Sequence, residues 1–313
     1  MIGLLVLAGL WLLASLKSSR SDGTLLDVHP YRRLMFFIMR TRNESVVYFD
    51  AVIDADRLLA FSEKVRKSCD ANLTHVVVAA ANIALAATPR MNRFVVGRRL
   101  YARNGRWLTF AMKRKKLDRD AKLATIKLQM LDGESFAGFA ERVNAQIGEN
   151  RSEKRTSADK EYDLFNLLPR PFLWLAGEAL FVLDYYNLLP AFFIRDDPMY
   201  TSIFLANLGS LDMDPGYHHL YEYGTCPLFI VVGRVVEEPT VEDGVLTMRR
   251  RLRVRFSYDE RIEDGLNARF GIEGFVRVLS DPERWIGSTG EDDRFALWPR
   301  ADWDDGGRYS VRN

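Results

Sequence analysis

The stretch Arg251-Leu-Arg-Val-Arg-Phe-Ser-Tyr-Asp-Glu-Arg-Ile-Glu-Asp-Gly265 decides the fold of this chain. Apolar residues at 252, 254 and 256 alternate with arginines and a serine, which is the period of a half-buried strand with a cationic face. An acidic turn follows and ends at Gly265, where the backbone can turn sharply into a helix expected at about 266–279, before Pro282. The stretch therefore predicts a strand, a turn and a helix in that order.

The size and charge of the chain limit its class. It has 313 residues, of which 48% are hydrophobic and 27% charged, enough to bury one large core. The net charge of +2, with arginines dispersed among acidic residues, argues against nucleic-acid binding. Two cysteines, Cys69 and Cys226, are too few and too far apart in sequence to suggest a disulfide framework or a metal site. This cysteine usage favours a reducing compartment.

The first 16 residues are apolar apart from Ser15, and Lys17 and Arg20 follow them. A helix of this length measures about 24 Å, which is short of a bilayer core of roughly 30 Å unless the membrane thins. We expect a membrane anchor, with an apolar docking arm or a wrongly assigned start site as alternatives. Because these basic residues, and Arg32 and Arg33 after them, lie on the C-terminal side of the apolar run, an anchor would leave the main domain on the cytoplasmic side.

Composition also suggests where the main domain begins and ends. We expect an apolar N-terminal anchor or arm with its linker over 1–22, a main domain over 23–287 and a polar C-terminal tail over 288–313. Inside the main domain, the charged stretch 151–160 is expected to form a linker or an exposed loop.

A second apolar stretch covers 172–194 and contains Glu178 and Asp184. A bilayer span would rarely carry two acids near its middle, since each costs a few kcal/mol, about 2.5–3.5 on insertion scales. We expect one helix followed by a turn. The helix would either pack in the core or at a subunit contact, or lie in the membrane interface with Trp174, Tyr185 and Tyr186 at the headgroup level.

Periodicity and capping residues predict the elements upstream. A strand is expected over 45–53, and Asp54 can cap a helix over about 55–68. Thr74 is expected to cap an Ala-rich apolar helix that ends at Ala87. The remaining expectations are short strands near 94–96 and 100–102, the turn pair Asn104-Gly105, a strand over 107–113 and an amphipathic helix over 135–146.

Three motifs, in a fixed order along the chain, carry a family resemblance. The Ala-rich helix is followed by Pro89-Arg-Met-Asn92, a strand ends in Leu205-Ala-Asn-Leu-Gly209, and the acidic turn contains Asp259-Glu-Arg-Ile-Glu-Asp-Gly265. Together they resemble the chloramphenicol acetyltransferase-like superfamily, and within it the catalytic domain of the E2 acyltransferases of 2-oxoacid dehydrogenase complexes. The resemblance covers about 31–282. It implies a two-layer α/β sandwich with a mixed sheet, a homotrimer with its active site between subunits, and coenzyme A or acyl-CoA as a ligand.

The resemblance also implies roles for single residues. The family's turn motif is Asp-His-Arg-x-x-Asp-Gly, in which the His is the general base, and its strand motif carries a Ser that donates a hydrogen bond to the oxyanion. Glu260 stands at the His position and Ala206 at the Ser position, so both catalytic groups are replaced. The positions that match the family's frame are Asn207, Gly209, Arg261, Asp264 and Gly265. In the family the second Asp of the turn pairs with an Arg near the start of the domain, for which Arg33 is the expected counterpart and Arg32 the alternative.

These replacements weaken the expected chemistry. Loss of an oxyanion donor typically costs about 100- to 1,000-fold in turnover, and general-base catalysis contributes about 100- to 10,000-fold. A carboxylate of ordinary acidity is about four units too acidic to deprotonate a thiol, so Glu260 would need strong burial to act as the base. His218 and His219 are the other candidate bases, whereas His29 and His75 are expected to be structural.

Three functional hypotheses follow from this pattern. The first is a stand-alone, membrane-associated protein with a degenerate acyltransferase site that binds acyl-CoA, an acyl carrier thioester or a partner protein. The second is an active CoA-dependent acyltransferase with a remodelled site that uses Glu260 or the His218 and His219 pair. The third is an interaction scaffold without a small-molecule site.

Overall fold

The computed structural model describes residues 2–113, 123–151 and 167–287, together with Leu297, Pro299 and Trp303. Apart from its first residue, the expected charged loop at 151–160 lies outside the described residues, as does most of the expected tail at 288–313. Leu297 is buried in the core, and its carbonyl accepts a hydrogen bond from Asn82 Nδ2 at 2.9 Å.

Nine α-helices and nine strands are described. The helices are α1 Ile2–Leu16, α2 Pro30–Ile38, α3 Asp56–Cys69, α4 Leu73–Ala87, α5 Phe136–Arg151, α6 Arg170–Tyr185, α7 Ala191–Asp196, α8 Gly265–Ser280 and α9 Pro282–Trp285. The strands are β1 Gly23–Leu25, β2 Val46–Asp54, β3 Arg93–Val96, β4 Arg99–Arg103, β5 Arg106–Lys113, β6 Leu123–Met130, β7 Ile203–Asn207, β8 Leu228–Glu242 and β9 Val245–Asp259.

A six-stranded sheet forms the centre of the molecule, with the strand order β2-β9-β8-β7-β5-β6. β7 pairs in parallel with both β5 and β8, and the other pairs are antiparallel. The sheet is therefore mixed, as expected. β8 and β9 form a long hairpin whose turn, Asp243-Gly244, has positive φ angles of 50° and 81°, a backbone that favours glycine.

Helices cover one side of this sheet. Leu252, Val254 and Phe256 of β9 are buried in the core between sheet and helices, while the arginines that alternate with them are not, which confirms the predicted half-buried strand. α4 is buried along most of its length and packs against α8. The arrangement is a two-layer α/β sandwich, which confirms the expected fold class.

The start of α4 differs from the expectation. Asn72, and not Thr74, is the N-cap residue: its side-chain oxygen accepts from the backbone N–H of Thr74 at 2.9 Å. His75 Nδ1 in turn accepts from the backbone N–H of Asn72 at 3.1 Å, which completes a capping box. The Thr74 hydroxyl instead accepts a hydrogen bond from Asn207 Nδ2 at 2.9 Å. The expected cap was wrong because a long-range partner occupies Thr74.

A small three-stranded sheet, in the order β1-β4-β3, lies beside the main one. The two predicted short strands form its hairpin, and the residues at its turn, Gly97 and Arg98, have positive φ angles of 55° and 59°. The predicted turn pair Asn104-Gly105 connects β4 to β5, which belong to different sheets.

Helices α1 and α6 lie outside the core. α6 has no buried residue, so the option of a core helix was wrong for most of the stretch 172–194. The stretch forms two helices, α6 and the short α7, joined by a turn, where one helix followed by a turn was expected. Trp11 Nε1 of α1 donates to the hydroxyl of Tyr186 at 3.0 Å, directly after α6. Among the described helices, none alone is long and apolar enough to cross a membrane; only the bent pair α3–α4 meets the length and composition required.

Candidate functional site

Strand pairing places Ala206 in a row that crosses the sheet. Ala206 lies opposite Val231 of β8, Val231 opposite Arg255 of β9, and Arg255 opposite Asp50 of β2. Paired residues of adjacent strands point to the same side of a sheet. The next row on this side is Phe204, Phe229, Ser257 and Tyr48. We call this side the Ala206 face; it is the side opposite the helices, because Leu205, the neighbour of Ala206, lies in the core beneath them.

The segment 212–226 of the same chain covers the Ala206 face. Leu220 and Cys226 are buried there in one apolar cluster with Phe204, Phe229 and Val231, and half-buried Ala206 packs against this cluster. Burial also raises the pKa of the Cys226 thiol to about 11. The surface on which a bound molecule would lie is therefore partly occupied by the protein itself.

The cover also contacts the polar row of the face. Arg255 Nη1 donates to the carbonyl of Pro215 at 2.6 Å, and its guanidinium lies 4.1 Å from the centre of the Tyr217 ring. The Tyr217 ring also meets Tyr48 edge to face, with 5.5 Å between ring centres. These contacts hold the first half of the cover against β9 and β2.

Arg42 fastens the second half of the cover. Its side chain is buried and donates to the carbonyl oxygens of Tyr221 at 2.8 Å, Glu222 at 2.7 Å and Gly224 at 2.6 Å. The neighbouring Asn43 donates through Nδ2 to the Leu220 carbonyl at 2.9 Å. Burial lowers the pKa of the Arg42 guanidinium, because removal from water disfavours its charged form. The hydrogen bonds to the cover offset this cost of desolvation.

The two candidate histidines are part of the cover. His218 stacks on Phe229 with 3.9 Å between ring centres, and its Nδ1 donates to the carbonyl of His219 at 2.6 Å. The His219 ring stacks on His218 in turn, and its Nδ1 lies 3.0 Å from the carbonyl oxygen of Leu220. Burial, the largest influence, lowers the pKa of His218. The pair thus packs an aromatic stack onto the sheet.

Glu260 lies at the far end of β9. It is exposed, and its backbone N–H donates to the carbonyl of Ser45 at 2.9 Å. It is five residues beyond Arg255, the residue that shares a row with Ala206, which corresponds to about 17 Å along the strand. The two positions that the resemblance makes catalytic are therefore not brought together within one chain.

The turn that carries Glu260 is held by a buried ion pair between Asp259 and Arg261. Arg261 Nε donates to Asp259 Oδ1 at 2.8 Å and Arg261 Nη2 to Oδ2 at 2.7 Å, a bidentate arrangement. The Ser45 hydroxyl donates to the same carboxylate at 2.9 Å. These contacts fix the path of the chain from β9 into α8.

Asp264 does not make the ion pair that was expected. Its carboxylate caps α8 by accepting from the backbone N–H of Asn267 at 3.0 Å. Arg33 pairs with Asp27 at 3.5 Å, and Arg32 pairs with Glu263 at 3.3 Å. The expected pairing was wrong because the buried Glu263, one residue earlier, takes the place of Asp264 as the acceptor for arginine.

The other matching residues, Asn207 and Gly209, join strands and helices. Asn207 donates to Thr74 on the helix side and accepts from the backbone N–H of Ser210 at 3.1 Å. At Gly209 a Cβ atom would lie 2.2 Å from the carbonyl oxygen of Gly233, so a side chain there would force β8 away. Both residues thus have a structural role in this chain.

The charged groups around the Ala206 face are paired. Arg255 Nε lies 2.9 Å from Asp50 Oδ1, and Arg234 Nε lies 3.0 Å from Asp214 Oδ1, with Asp212 at 3.7 Å from its Nη1. Within the described part of the chain, no group of three or more His, Cys, Asp or Glu side chains is placed to hold a metal ion.

Sequence reasoning did not identify the cover or its clamp. Arg42 and the carbonyl groups that it binds are about 180 residues apart along the chain, and a lone arginine after a helix gives no local signal. The one feature that could have indicated it is the aromatic and histidine content of the segment Tyr217-His-His-Leu-Tyr221, which is high for a solvated loop.

Solved structures share this fold. A probable dihydrolipoamide acetyltransferase from Listeria monocytogenes is 14% identical, with a TM-score of 0.55 over 86% of this chain and 97% of that one. The dihydrolipoamide acetyltransferase of Azotobacter vinelandii is 16% identical, with a TM-score of 0.54 over 83% of this chain and 93% of that one. The catalytic core of a 2-oxoacid dehydrogenase complex from Thermoplasma acidophilum is 16% identical, with a TM-score of 0.50 over 83% and 99%. No family model matches the sequence. At these identities the likeness shows the fold, and it confirms the fold that the three motifs implied.

Proposed function

We propose that the protein is a non-catalytic, membrane-associated binding protein built on an acyltransferase fold. The observation that carries this proposal is the cover over the Ala206 face. Leu220, Cys226 and His218 occupy the sheet surface next to the position where the resemblance places the oxyanion donor. The segment 212–226 therefore restricts the approach of a substrate to the half-buried Ala206.

The side chains at the two catalytic positions support the same proposal. The methyl group of Ala206 cannot donate a hydrogen bond to an oxyanion, and the position of the family's histidine is occupied by Glu260, whose side chain is exposed. Loss of both functions together would reduce turnover by at least about 10,000-fold if the typical single effects combine. The alternative, an active CoA-dependent acyltransferase, would need other groups to replace both.

We further propose that the chain forms a homotrimer, as the resemblance implies. One solved relative is the cubic core of the pyruvate dehydrogenase multienzyme complex. The tip of the β8–β9 hairpin supports a subunit contact here, because Val245, Leu246 and Met248 are 62%, 70% and 59% exposed. In a trimer Glu260 would have to reach the Ala206 face from a different subunit.

The ligand that we propose is an acyl group or a partner protein and not the nucleotide part of coenzyme A. The phosphates of coenzyme A need cationic partners, and the arginines beside the Ala206 face, Arg234 and Arg255, are already paired with aspartates. Binding of a CoA nucleotide at this face would have to break those ion pairs.

Membrane association is proposed from the two external helices. On α1, Leu10, Trp11 and Leu13 are 58%, 61% and 67% exposed, and on α6, Phe172 and Trp174 are 60% and 68% exposed. Monomeric soluble proteins rarely expose apolar patches of such extent. The basic residues that follow α1 support an orientation with the main domain on the cytoplasmic side.

The two helices are joined to each other near their C-terminal ends. Arg20, which follows α1, pairs with Asp184 of α6 at 2.8 Å, and the two side chains are 1% and 14% exposed. Asn187 donates to the carbonyl of Lys17 at 3.0 Å, which links the end of α1 to the end of α6. The shared attachment supports one membrane-contacting surface made from both helices.

An acyl-transfer assay tests the catalytic part of the proposal. Purified protein is incubated with acetyl-CoA or a long-chain acyl-CoA and dihydrolipoamide, and release of free CoA is measured. We expect no transfer above background, and no difference between the wild type and Glu260→Gln, which keeps the shape and removes the titratable group. Robust wild-type transfer that falls by about 100-fold in Glu260→Gln would refute the proposal. The double variant Ala206→Ser with Glu260→His serves as the positive comparison.

Vesicle flotation tests the membrane part. The intact chain, a variant lacking residues 2–16 and the variant Phe172→Ser/Trp174→Ser are mixed with vesicles of phosphatidylcholine and phosphatidylglycerol. We expect each change to reduce the floating fraction and the two together to abolish flotation. A matched control, Val52→Ser/Leu131→Ser, changes two exposed apolar residues outside α1, α6 and the β8–β9 hairpin and should float like the wild type. An intact chain that stays fully soluble and unbound would refute membrane association.

A further inference from the structure

A cavity opens on the helix side of the sheet, opposite the covered face. Its volume is about 380 Å³, within the range of roughly 300–1,000 Å³ that is usual for small-molecule sites. The side chains around it are mainly apolar and come from two helices and the sheet: Val78 of α4, Phe139 and Val143 of α5, and Phe110 and Leu205 of the sheet. Ala206 and the segment 212–226 do not line the cavity, although Arg234, which pairs with Asp212 and Asp214, lies at its edge.

His75 lies in the wall of this cavity, and one of its nitrogens has no partner. The side chain is 2% exposed. Its Nδ1 accepts from the backbone N–H of Asn72, so the proton of a neutral ring is on Nε2. Nε2 is buried and has no hydrogen-bond partner. A buried donor without a partner costs about 1–3 kcal/mol, which a ligand with an acceptor would recover.

The ring of His75 is expected to stay neutral. Burial, the largest influence, lowers its pKa. A polar contact with the Asn144 side chain, which does not meet hydrogen-bond geometry at Nε2, and the charge of Asp70 oppose this less strongly. The ring also meets Phe139 edge to face, with 6.4 Å between ring centres. A neutral N–H donor in apolar surroundings suits a carbonyl oxygen better than a phosphate or a carboxylate.

The other polar side chains around the cavity are already engaged. Asn207 bonds to Thr74 and to the backbone of Ser210, and Arg234 is paired with Asp214. Among the residues around this mainly apolar space, His75 Nε2 is therefore the buried side-chain donor that has no partner. This combination selects for a molecule with one strong acceptor and no charge.

We propose that this cavity binds a small, uncharged apolar molecule with one carbonyl group, such as a medium-chain ketone or ester, and that His75 Nε2 donates a hydrogen bond to the carbonyl oxygen. The volume accommodates about a dozen heavy atoms at roughly 30 Å³ each. His75, which the sequence suggested to be merely structural, would then be a specificity-determining residue. This inference does not depend on the proposed function, because neither Ala206 nor the segment 212–226 lines this cavity.

Histidine NMR provides a direct test. The chain has four histidines, so selective ¹⁵N labelling of histidine gives a small set of ring signals that can be assigned by substitution. Octan-2-one and n-octane, two chains of similar length, are each equilibrated with the intact protein through the vapour at equal activity. We expect octan-2-one to shift the Nε2 signal of His75 while Nδ1 keeps the chemical shift of an acceptor. The signals of His218 and His219, on the covered face, should not move.

Two variants sharpen this test. His75→Met removes both ring nitrogens and keeps an apolar side chain of similar length. Loss of the capping box should cost about 1 kcal/mol, so the chain should still fold, and it should bind octan-2-one about five- to tenfold more weakly. Ile147→Trp, at the cavity wall, should abolish binding of both probes by filling the space. An unmoved His75 signal at saturating octan-2-one, unchanged affinity in His75→Met, or binding that survives in Ile147→Trp would each overturn the proposal.

Discussion

The substitution Arg42→Met tests the clamp that holds the cover over the Ala206 face. It removes three hydrogen bonds to main-chain carbonyl groups while leaving an apolar side chain of similar length. The carbonyl of Gly224 belongs to a buried residue and would lose its partner outright, whereas Tyr221 and Glu222 are exposed and their carbonyl groups can turn to water. The effect should therefore be concentrated at the end of the cover nearest Cys226.

The magnitude follows from these three bonds. An unsatisfied buried carbonyl costs about 1–3 kcal/mol, and each hydrogen bond exchanged for water about 1 kcal/mol. Removing a buried cation returns part of this, because its desolvation was unfavourable, as the lowered pKa of Arg42 indicates. We expect the free energy of opening the cover to fall by about 2–4 kcal/mol, which is at least about a 30-fold increase in the open population.

Thiol labelling measures this opening. Cys226 is buried at the end of the cover, so in a Cys69→Ser background its rate of labelling by a disulfide reagent reports exposure of the face. Arg42→Met should accelerate labelling by about 30-fold or more. The control Arg57→Met removes an exposed arginine that lies 3.7 Å from Asp281 and should leave the rate within about twofold. Equal labelling rates in the wild type and Arg42→Met would refute the clamp.

Two further predictions concern stability. Gly209→Ala should lower the free energy of unfolding by at least about 2 kcal/mol in urea titrations, because its Cβ would lie 2.2 Å from the Gly233 carbonyl oxygen. Gly148→Ala, in open space on α5, should be neutral or slightly stabilising. A neutral Gly209→Ala would contradict the close approach of the turn after β7 to β8. The pKa of buried His75 is lowered in the folded chain, so the unfolded chain binds more protons and stability is lost as the pH falls below about 6.5. Between pH 7 and 5 the wild type should therefore lose stability relative to His75→Gln, and parallel pH profiles of the two proteins would contradict a buried neutral ring.

The sequence was most informative where one periodic pattern determines the structure. The alternation of Leu252, Val254 and Phe256 predicted β9 and its buried side, since a strand repeats every two residues whatever its neighbours are. The turn at Gly265 and the helix after it were predicted for the same local reason. Motif order then indicated how these elements are arranged, because the same order of strands and turns occurs in a known fold.

Contacts between distant parts of the chain could not be predicted in this way. Whether Asp264 or Glu263 would meet Arg32 depends on a rotation of one residue in the turn, and sequence spacing does not determine it. The partner of His75 Nε2 depends on how α4 and α5 leave a cavity between them, which no pattern within either helix records. Both cases concern where a side chain points and not which element carries it.

The residues that match the acyltransferase motifs also have structural partners that are sufficient to explain their presence. Arg261 forms the buried bidentate pair with Asp259, Asp264 caps α8, and the absence of a side chain at Gly209 lets two strands approach. None of these contacts requires a substrate. The positions whose side chains would carry out the chemistry, Ala206 and Glu260, are the ones that differ. A match to the structural residues of these motifs therefore indicates the fold. Activity has to be judged from the groups that would donate and accept protons.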